Sequence, residues 1–260
     1  MSSVSLSLIV PTYNRAAQLY KSIPTFLSQD LSPNQYEIIV VDNNSTDDTP
    51  EVVRKLFVDA RCQCTYVHEP NQGLHHARNR GIKEAVGDIA VFGDDDILAT
   101  SGWLSALARE FSENPNTGVA GGRIRPEWDE EPPEWVFDYG SSGFHGVFAF
   151  LDLGDDRLIL KDGSVFGCNF AVRKDLVVKT GGSYPDTFPR RLRHLSGTGE
   201  YAIADNVRRE GFEVVYLPGA DVFHLAERSR ATLEYFIDRH ERWAVENIFE
   251  GGFAICREFV

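Results

Sequence analysis

The feature that most limits the fold of this 260-residue chain is an alternation of short apolar runs with helix-patterned segments. Apolar runs occur at Ser5–Val10, Tyr36–Val41, Cys64–Val67 and Ile89–Phe92. Between the first two, Ala16–Leu27 repeats its apolar residues at helical spacing. A nearly continuous apolar strand such as Tyr36–Val41 is typical of a parallel sheet whose two faces are covered by helices. The sequence therefore predicts an α/β protein with a doubly wound, mostly parallel sheet flanked by helices.

Polar clusters directly follow each of these four predicted strands. They are Thr12–Arg15, Asp42–Asp48, Asn71–Gly73 and Asp94–Asp96. In doubly wound sheets, ligands bind beyond the carboxyl ends of the strands. We therefore expect the four clusters to meet at one edge of the sheet and to form a binding site there.

The last of these clusters places three carboxylates side by side after a buried strand. In FGDDDI, Asp94, Asp95 and Asp96 repel one another unless a cation or a solvated turn relieves the repulsion. A solvated acidic turn is the simpler interpretation of three aspartates taken alone. Because the preceding strand is buried and three other polar loops accompany them, a metal site is favoured.

Charge and composition restrict the partners and the compartment. With 26 Lys and Arg against 39 Asp and Glu, the formal charge of −13 argues against nucleic acid as a partner. The first residues lack the pattern of a signal peptide, and no apolar run reaches the roughly 18 residues of a membrane span. The four cysteines match neither a zinc site nor a disulfide framework. We expect a cytoplasmic protein, with peripheral membrane contact left open.

The alternation of strands and helices stops after about Gly118. The proline-rich and aromatic segment Arg125–Gly146 is predicted to be an irregular loop that lines an acceptor site. Further elements are predicted at Ser164–Val172 (strand), Glu200–Arg209 (helix), Phe212–Leu217 (strand) and Thr232–Phe249 (helix). Without a linker or repeat, residues 1–260 are expected to form one domain. Its nucleotide-binding half reaches about residue 120, and an acceptor-binding half with a C-terminal helix follows from about residue 121.

An ordered set of motifs from about Leu6 to His224 carries a family resemblance. The motifs are VPTYNR, IIVVDNNSTDDT, NQGLHHARNRGI, FGDDDI, GCNFAVRK and YLPGADVFH. Together they resemble glycosyltransferase family 2, whose members are inverting enzymes of the GT-A fold, a Rossmann-like sheet. The resemblance implies transfer of a sugar from a nucleotide-diphosphate-sugar donor, most simply a UDP-sugar, to a hydroxyl of a glycan or lipid-linked acceptor. It also implies a divalent cation, Mn²⁺ or Mg²⁺, and a cytoplasmic location at the inner face of the membrane.

The resemblance also suggests which residues bind the donor and the metal. The residues implied for the donor nucleotide are Pro11, Tyr13, Arg15, Asp42, Arg78, Asp94 and Asp95. Those implied for the metal are Asp96, Asp94 and His224. Each residue also has a purely structural interpretation: a proline turn, a helix cap, an exposed helix arginine or a strand-end histidine.

The general base is the point at which this sequence departs from the family. Inversion needs a base that takes the proton of the acceptor hydroxyl, and the family supplies an aspartate from a Glu-Asp pair. Here GTGEYAIAD places Tyr201 at the aspartate position. Glu200 is therefore the candidate base, while Asp205 is expected to face solvent or to form a helix ion pair. A basic segment with Arg190, Arg191, Arg193 and His194 would cover the donor diphosphate, bind a lipid phosphate or be plain solvated surface.

Two other functions compete with this interpretation. A metal-dependent phosphohydrolase would use the same acidic strand end but would need more ligands around a second metal. A noncatalytic sugar-nucleotide-binding protein is compatible with Tyr201 at the base position. A dinucleotide oxidoreductase is weaker, because PTYNR follows the first strand in place of G-x-G-x-x-G.

Overall fold

The computed structural model describes residues 5–140, 145–179 and 199–249. Its strands are β1 (Leu6–Thr12), β2 (Tyr36–Asp42), β3 (Gln63–His68), β4 (Ile89–Gly93), β5 (Ile97–Ala99), β6 (Thr117–Trp128), β7 (Leu158–Ile159), β8 (Asn169–Arg173) and β9 (Glu213–Ala226). Its helices are α1 (Ala16–Leu27), α2 (Thr49–Phe57), α3 (Leu74–Glu84), α4 (Trp103–Glu113), α5 (Glu134–Gly140), α6 (Lys174–Lys179), α7 (Gly199–Arg209) and α8 (Leu233–Phe249).

These strands form one mixed sheet in the order β3-β2-β1-β4-β8-β6-β9-β5, with β7 pairing on β9. The first four strands in this order are parallel, and β8 is antiparallel to both β4 and β6. Beyond β8, β6 and β9 are parallel to each other, and β5 is antiparallel to β9. The predicted α/β class, with a central mostly parallel sheet flanked by helices, is confirmed, and its parallel strands are concentrated at β3-β2-β1-β4.

The hydrophobic core follows the apolar runs of the sequence. Every residue of β1, β2 and β4 is buried, as expected for strands covered on both faces. Beyond β4, the core continues through Trp103 on α4 and Phe170 on β8. In the described part of the chain, no helix has the length and apolar character needed to cross a bilayer.

The prediction of an irregular loop at Arg125–Gly146 is wrong at its start and in its middle. Strand β6 continues to Trp128, and α5 occupies Glu134–Gly140. The end of β6 pairs in register with the end of β9, from Arg125 opposite Phe223 to Trp128 opposite Ala226. This pairing joins segments far apart in sequence, so the local proline and aromatic content gave no sign of it. The strand predicted from Ser164 begins only at Asn169, and β9 runs past Leu217 to Ala226.

Candidate active site

Hydrogen bonds join the polar loops at the carboxyl ends of the first strands. The backbone N–H of Asn43 donates to the carbonyl of Thr12 at 2.8 Å. The Thr12 hydroxyl donates to Oδ2 of Asp95 at 2.7 Å. The N–H of Gly73 donates to Oδ1 of Asn43 at 2.6 Å. The loops after β1, β2, β3 and β4 therefore meet at one edge, as the sequence predicts.

Asp42 lies at the end of β2 and is only 1% exposed. Its Oδ1 accepts from the N–H of Ser45 at 2.9 Å, and its Oδ2 accepts from the Tyr66 hydroxyl at 2.6 Å. Burial of the Tyr66 side chain raises its pKa, and the hydrogen bond that its hydroxyl donates to Asp42 adds to this rise. Sequence analysis missed Tyr66, although a residue of β3 next to β2 is within diagonal reach of Asp42. Tyr66 therefore fixes the orientation of the Asp42 carboxylate.

The other residues predicted for the donor from the first loop lie in different environments. Pro11 is buried within β1, opposite Val41. Tyr13 is 47% exposed, and Arg15 occupies the position before α1. Tyr13 is thus available to a ligand, whereas Pro11 shapes the backbone.

The three consecutive aspartates after β4 have distinct surroundings. Asp95 and Asp96 are each 8% exposed. Burial and the neighbouring Asp96 raise the pKa of Asp95 to about 7, while the hydrogen bond from Thr12 opposes that rise. Burial also raises the pKa of Asp94, with the charge of Arg78 opposing and Asp96 adding to the rise. The repulsion anticipated for this cluster is therefore present.

Asp96 faces the His224 imidazole and the Arg230 guanidinium without a hydrogen bond to either. Pairing of Ile97 with His224 between β5 and β9 brings His224 Nε2 to 3.5 Å from Oδ1 of Asp96. Arg230 Nη2 lies 3.7 Å from Oδ2. No other residue in the described ranges donates to this carboxylate, so its oxygens retain lone pairs for a ligand. Sequence analysis missed Arg230, which carries no distinguishing local pattern.

The residue types around Asp96 fit a hard divalent cation. Asp94, Asp96 and His224 line one cavity, and carboxylate oxygens are the ligands that Mg²⁺ and Mn²⁺ prefer. Within the described ranges, no three acidic, histidine or cysteine side chains converge tightly enough to form a metal cluster as they stand. The buried Nδ1 of His224 has no partner there, so this side chain makes its polar contact through Nε2.

Arg78 joins two of the predicted site carboxylates. Its Nη1 lies 2.6 Å from Oε1 of Glu200, and its Nη2 lies 3.3 Å from Oδ1 of Asp94. Nη2 also donates to the carbonyl of Gly167 at 3.3 Å. Arg78 and Glu200 are both almost completely buried, so the interpretation of Arg78 as an exposed helix arginine is wrong. A buried ion pair of this kind holds both side chains in one geometry.

Gly167 makes this close approach possible. A Cβ at this position would lie 1.8 Å from Oε1 of Glu200 and 2.7 Å from Nη2 of Arg78. Any side chain would therefore displace the ion pair.

The two other residues considered for the base position, Tyr201 and Asp205, lie on α7 with Glu200. Tyr201 is 37% exposed on α7. Asp205 pairs with Arg208 at 3.0 Å and is exposed, which confirms the expected helix ion pair. The basic segment with Arg190, Arg191, Arg193 and His194 lies outside the described residues.

The chain is similar in sequence to proteins that are named as glycosyltransferases. The chain is 22% identical over 238 residues to glucosyl-dolichyl phosphate glucuronosyltransferase of Haloferax volcanii, covering 91% of this chain and 74% of that protein. It is 30% identical over 189 residues to glycosyltransferase AglE of the same organism, covering 72% of this chain and 57% of the relative. The chain thus spans little more than half the length of the second relative.

The fold has counterparts among solved structures. The mannosyltransferase PcManGT of Pyrobaculum calidifontis, in complex with GDP-Man and Mn²⁺, superposes with a TM-score of 0.65 at 23% identity. The match covers 86% of this chain and 57% of that protein. This likeness confirms the GT-A fold expected from the sequence. The family model described as Glycosyl transferase family 2 matches residues 7–181, and this chain belongs to that family.

Proposed function

We propose that this protein transfers a sugar from a nucleotide-diphosphate-sugar donor to a hydroxyl of a glycan or lipid-linked acceptor, with inversion at the anomeric carbon. The observation that carries the proposal is the position of the Arg78 guanidinium between Asp94 and Glu200. The Arg78 side chain thereby connects the acidic turn, where the leaving diphosphate would bind, to the buried carboxylate of Glu200. That carboxylate is suited to act as the general base. A UDP-sugar is the expected donor.

The strand-end network would bind the nucleotide. Asp42 is oriented by Ser45 and Tyr66, and Thr12 connects its loop to Asp95. We assign Asp42, with Pro11, Tyr13 and Arg15, to the base and ribose side. Asp94, Asp95 and Arg78 are assigned to the ribose and diphosphate. The fixed hydrogen bonds mean that little rearrangement is needed when the donor binds.

Glu200 would act as the general base. Its Oε1 is held by Arg78, whereas its Oε2 accepts no hydrogen bond from the described residues. A carboxylate with one oxygen fixed and one unoccupied can take the proton from an acceptor hydroxyl as that oxygen attacks the sugar. Arg78 would act as a positioning residue for Glu200 by fixing the direction in which the second oxygen points.

A divalent cation, Mn²⁺ or Mg²⁺, is part of the proposal. Asp96 would hold it, with Asp94 and His224 as further ligands that line the same cavity. When bound, such a cation offsets the negative charge that develops on the departing nucleoside diphosphate. The Mn²⁺ in the mannosyltransferase complex supports this assignment.

The acceptor class and the cellular location are inferred from relatives and from the sequence. The name of the Haloferax volcanii glucuronosyltransferase includes a dolichyl phosphate, which supports a lipid-linked acceptor for this chain. We therefore propose action in the cytoplasm, at the inner face of the membrane, through peripheral association. We also propose that the chain forms one domain, with a nucleotide-binding half up to about residue 120 and an acceptor-binding half after it. Strand β6 spans the boundary between the two halves, which fits a single domain.

The test combines ligand binding with turnover. UDP, GDP and dTDP are added to the protein with Mn²⁺ or Mg²⁺, and the unfolding temperature is measured; the correct nucleotide stabilises the folded state according to its affinity. The matching nucleotide sugars are then assayed for release of nucleoside diphosphate. We expect metal-dependent release, lowered roughly 10²–10³-fold in Asp96→Asn.

Asp88→Asn is the matched control, because Asp88 is an exposed aspartate just before the same strand, and among the described residues its carboxylate accepts hydrogen bonds only from Ser5. It should behave like the unsubstituted protein. Nucleotide binding without turnover of any donor would favour a noncatalytic binding protein. Release of phosphate from simple phosphate esters would favour a phosphohydrolase. Either result would overturn the proposal.

A further inference from the structure

A cavity of about 440 Å³ opens beside the acidic turn. Among the described residues, its polar lining includes Asp94, Asp96 and His224, which form the acidic end. Its aromatic lining consists of Trp128, Phe148 and Tyr235, called here the aromatic wall, and Arg230 and Arg239 line the same cavity. This volume falls within the range of about 300–1,000 Å³ that is typical of small-molecule sites.

The aromatic wall is built separately from the main core. Val136, Phe148 and Ala231 form a second small buried cluster, and rings from β6, α5 and α8 pack around it. Phe148 meets Trp128 edge-on at 5.8 Å between ring centroids and stacks on Tyr235 at 6.4 Å. Packing among the rings therefore holds Trp128 and Tyr235 in place while both remain only half-buried and line the cavity.

Backbone geometry next to Phe148 adds an independent sign of function. Ala149, which also lines the cavity, has a φ of 57°, in the left-handed region that an alanine seldom adopts. Strained backbone of this kind is concentrated at ligand sites, where the surrounding structure keeps it in place.

The position of the wall separates it from the donor nucleotide. Asp42 lies on β2, on one side of β4 in the sheet, whereas Trp128 and His224 lie on β6 and β9 on the other side. The acidic turn after β4 lies between them. A nucleotide held at Asp42 therefore approaches the turn from one side, and a second substrate at the wall approaches it from the other.

We propose that this wall binds a sugar ring of the acceptor, so that the acceptor is a saccharide and not a bare lipid phosphate. This inference rests on the proposed transfer reaction. Apolar C–H faces of a sugar ring pack well on aromatic rings, and its hydroxyls remain available at the acidic end. Asp94, Asp96 and Asp238 line the cavity together with Arg230 and Arg239, and Arg230 lies 3.7 Å from Oδ2 of Asp96. The described lining therefore has no excess of arginines over carboxylates, which a site for a lipid phosphate would need.

The experiment compares acceptors of the two kinds with the full-length protein. Octyl glycosides of common hexoses and a short-chain polyprenyl phosphate are supplied with the active donor, and transfer products are measured. We expect transfer to a glycoside and none to the polyprenyl phosphate. Tyr235→Ala and Trp128→Ala should raise the acceptor KM about tenfold, while thermal stabilisation by the nucleoside diphosphate is retained.

Two further variants separate ring contact from general damage to the cluster. Tyr235→Phe keeps the ring and should restore the acceptor KM. Trp135→Phe changes the same aromatic cluster at a residue that does not line the cavity, and it should leave the acceptor KM unchanged. An acceptor KM that is the same in Tyr235→Ala and in the unsubstituted protein would overturn the inference, as would transfer to polyprenyl phosphate alone.

A binding measurement keeps the inference separate from the proposed function. Saturation-transfer NMR detects contact between a glycoside and the protein without any turnover. Signal on the ring protons that is lost in Tyr235→Ala and kept in Tyr235→Phe supports the wall as a sugar site, even if no donor is ever consumed. Absence of that signal for every glycoside, with donor turnover intact, overturns the inference and leaves the proposed function standing.

Discussion

The two sides of the acidic turn are built in different ways. On the proposed donor side, directional hydrogen bonds join Thr12, Asn43 and Asp95 at the ends of strands that belong to the main core. On the other side, ring packing around Phe148 forms a small separate cluster. Hydrogen-bond networks tolerate few substitutions, whereas packed apolar surfaces accept volume-conserving changes. The two sides should therefore respond differently to substitution, with the larger losses on the hydrogen-bonded side.

The sharpest test of the polar side is removal of the proposed base. Glu200→Gln keeps the shape of the side chain and its contact with Arg78 but cannot accept a proton. We expect kcat for transfer to fall roughly 10²–10⁴-fold, with nucleoside diphosphate binding preserved. Steady-state transfer assays and thermal shift give the two quantities.

Asp205→Asn is the matched control, since Asp205 lies on the same helix but is exposed and paired with Arg208. Its kcat should match that of the unsubstituted protein. If Glu200→Gln retains full activity while Asp205→Asn loses it, the base has been assigned to the wrong residue.

Removal of the other partner of this ion pair should act mainly on stability. Arg78→Met leaves the carboxylate of Glu200 buried without its cation, and breaking such a pair costs about 3–5 kcal/mol. The double variant Arg78→Met/Glu200→Gln should regain part of this loss, because no uncompensated charge then remains on Glu200. Urea unfolding of the single and double variants measures both free energies.

Arg80→Met provides the comparison for the same helix. Arg80 pairs with Glu84 on the surface, and an exposed pair of this type contributes only about 0.3–0.5 kcal/mol. Equal losses in Arg78→Met and Arg80→Met would contradict a structural role for the buried pair.

The sequence predicted the polar strand ends on the proposed donor side better than the structure on the other side of the acidic turn, for a physical reason. Strands β1, β2 and β4 are local apolar runs, and their polar ends follow directly, so Asp42 and Asp94–Asp96 could be placed at one edge. The contact between Arg78 and Glu200 joins residues 122 positions apart, and local periodicity carries no information about it. Family resemblance suggested both residues, but only the fold shows that they form a pair.

The same limit explains the errors in the second half. The end of β6 is a strand because it pairs with β9, and no local signal in its proline and aromatic residues predicts that partner. Tyr66 and Arg230 were missed because their importance comes from carboxylates that are distant in sequence, Asp42 for Tyr66 and Asp96 for Arg230. Tertiary contacts thus determine the strand at the end of β6 and the roles of these two residues, and local secondary-structure propensity does not predict them.

A substitution at Gly167 tests how precisely the Glu200 carboxylate must be positioned. Gly167→Ala places a Cβ 1.8 Å from Oε1 of Glu200, so the carboxylate must move. A displacement of about 1 Å at a catalytic group can cost on the order of 10²-fold in rate, and we expect a loss of that size in kcat/KM. Gly102→Ala is the control, because the nearest atom to its Cβ is Oδ2 of Asp30 at 3.9 Å. Comparable losses in the two variants would mean that the close approach at Gly167 is not what matters.

The smallest expected effect concerns Asn169, which joins the two halves of the sheet. This fully buried residue of β8 accepts from Trp103 Nε1 at 2.9 Å and donates to the carbonyl of Ala220 at 2.7 Å. Asn169→Leu keeps the volume but leaves both partners buried without a hydrogen bond, which should lower the free energy of unfolding by about 1–3 kcal/mol. Urea unfolding measures the loss, with the exposed Asn34→Leu as control. Because Asn169 contacts α4 and β9, its loss should weaken that side of the sheet first, and hydrogen exchange in β9 should rise more than in β2. Equal exchange in the two strands would show that the sheet unfolds as one unit and that the difference between the two sides is confined to the site.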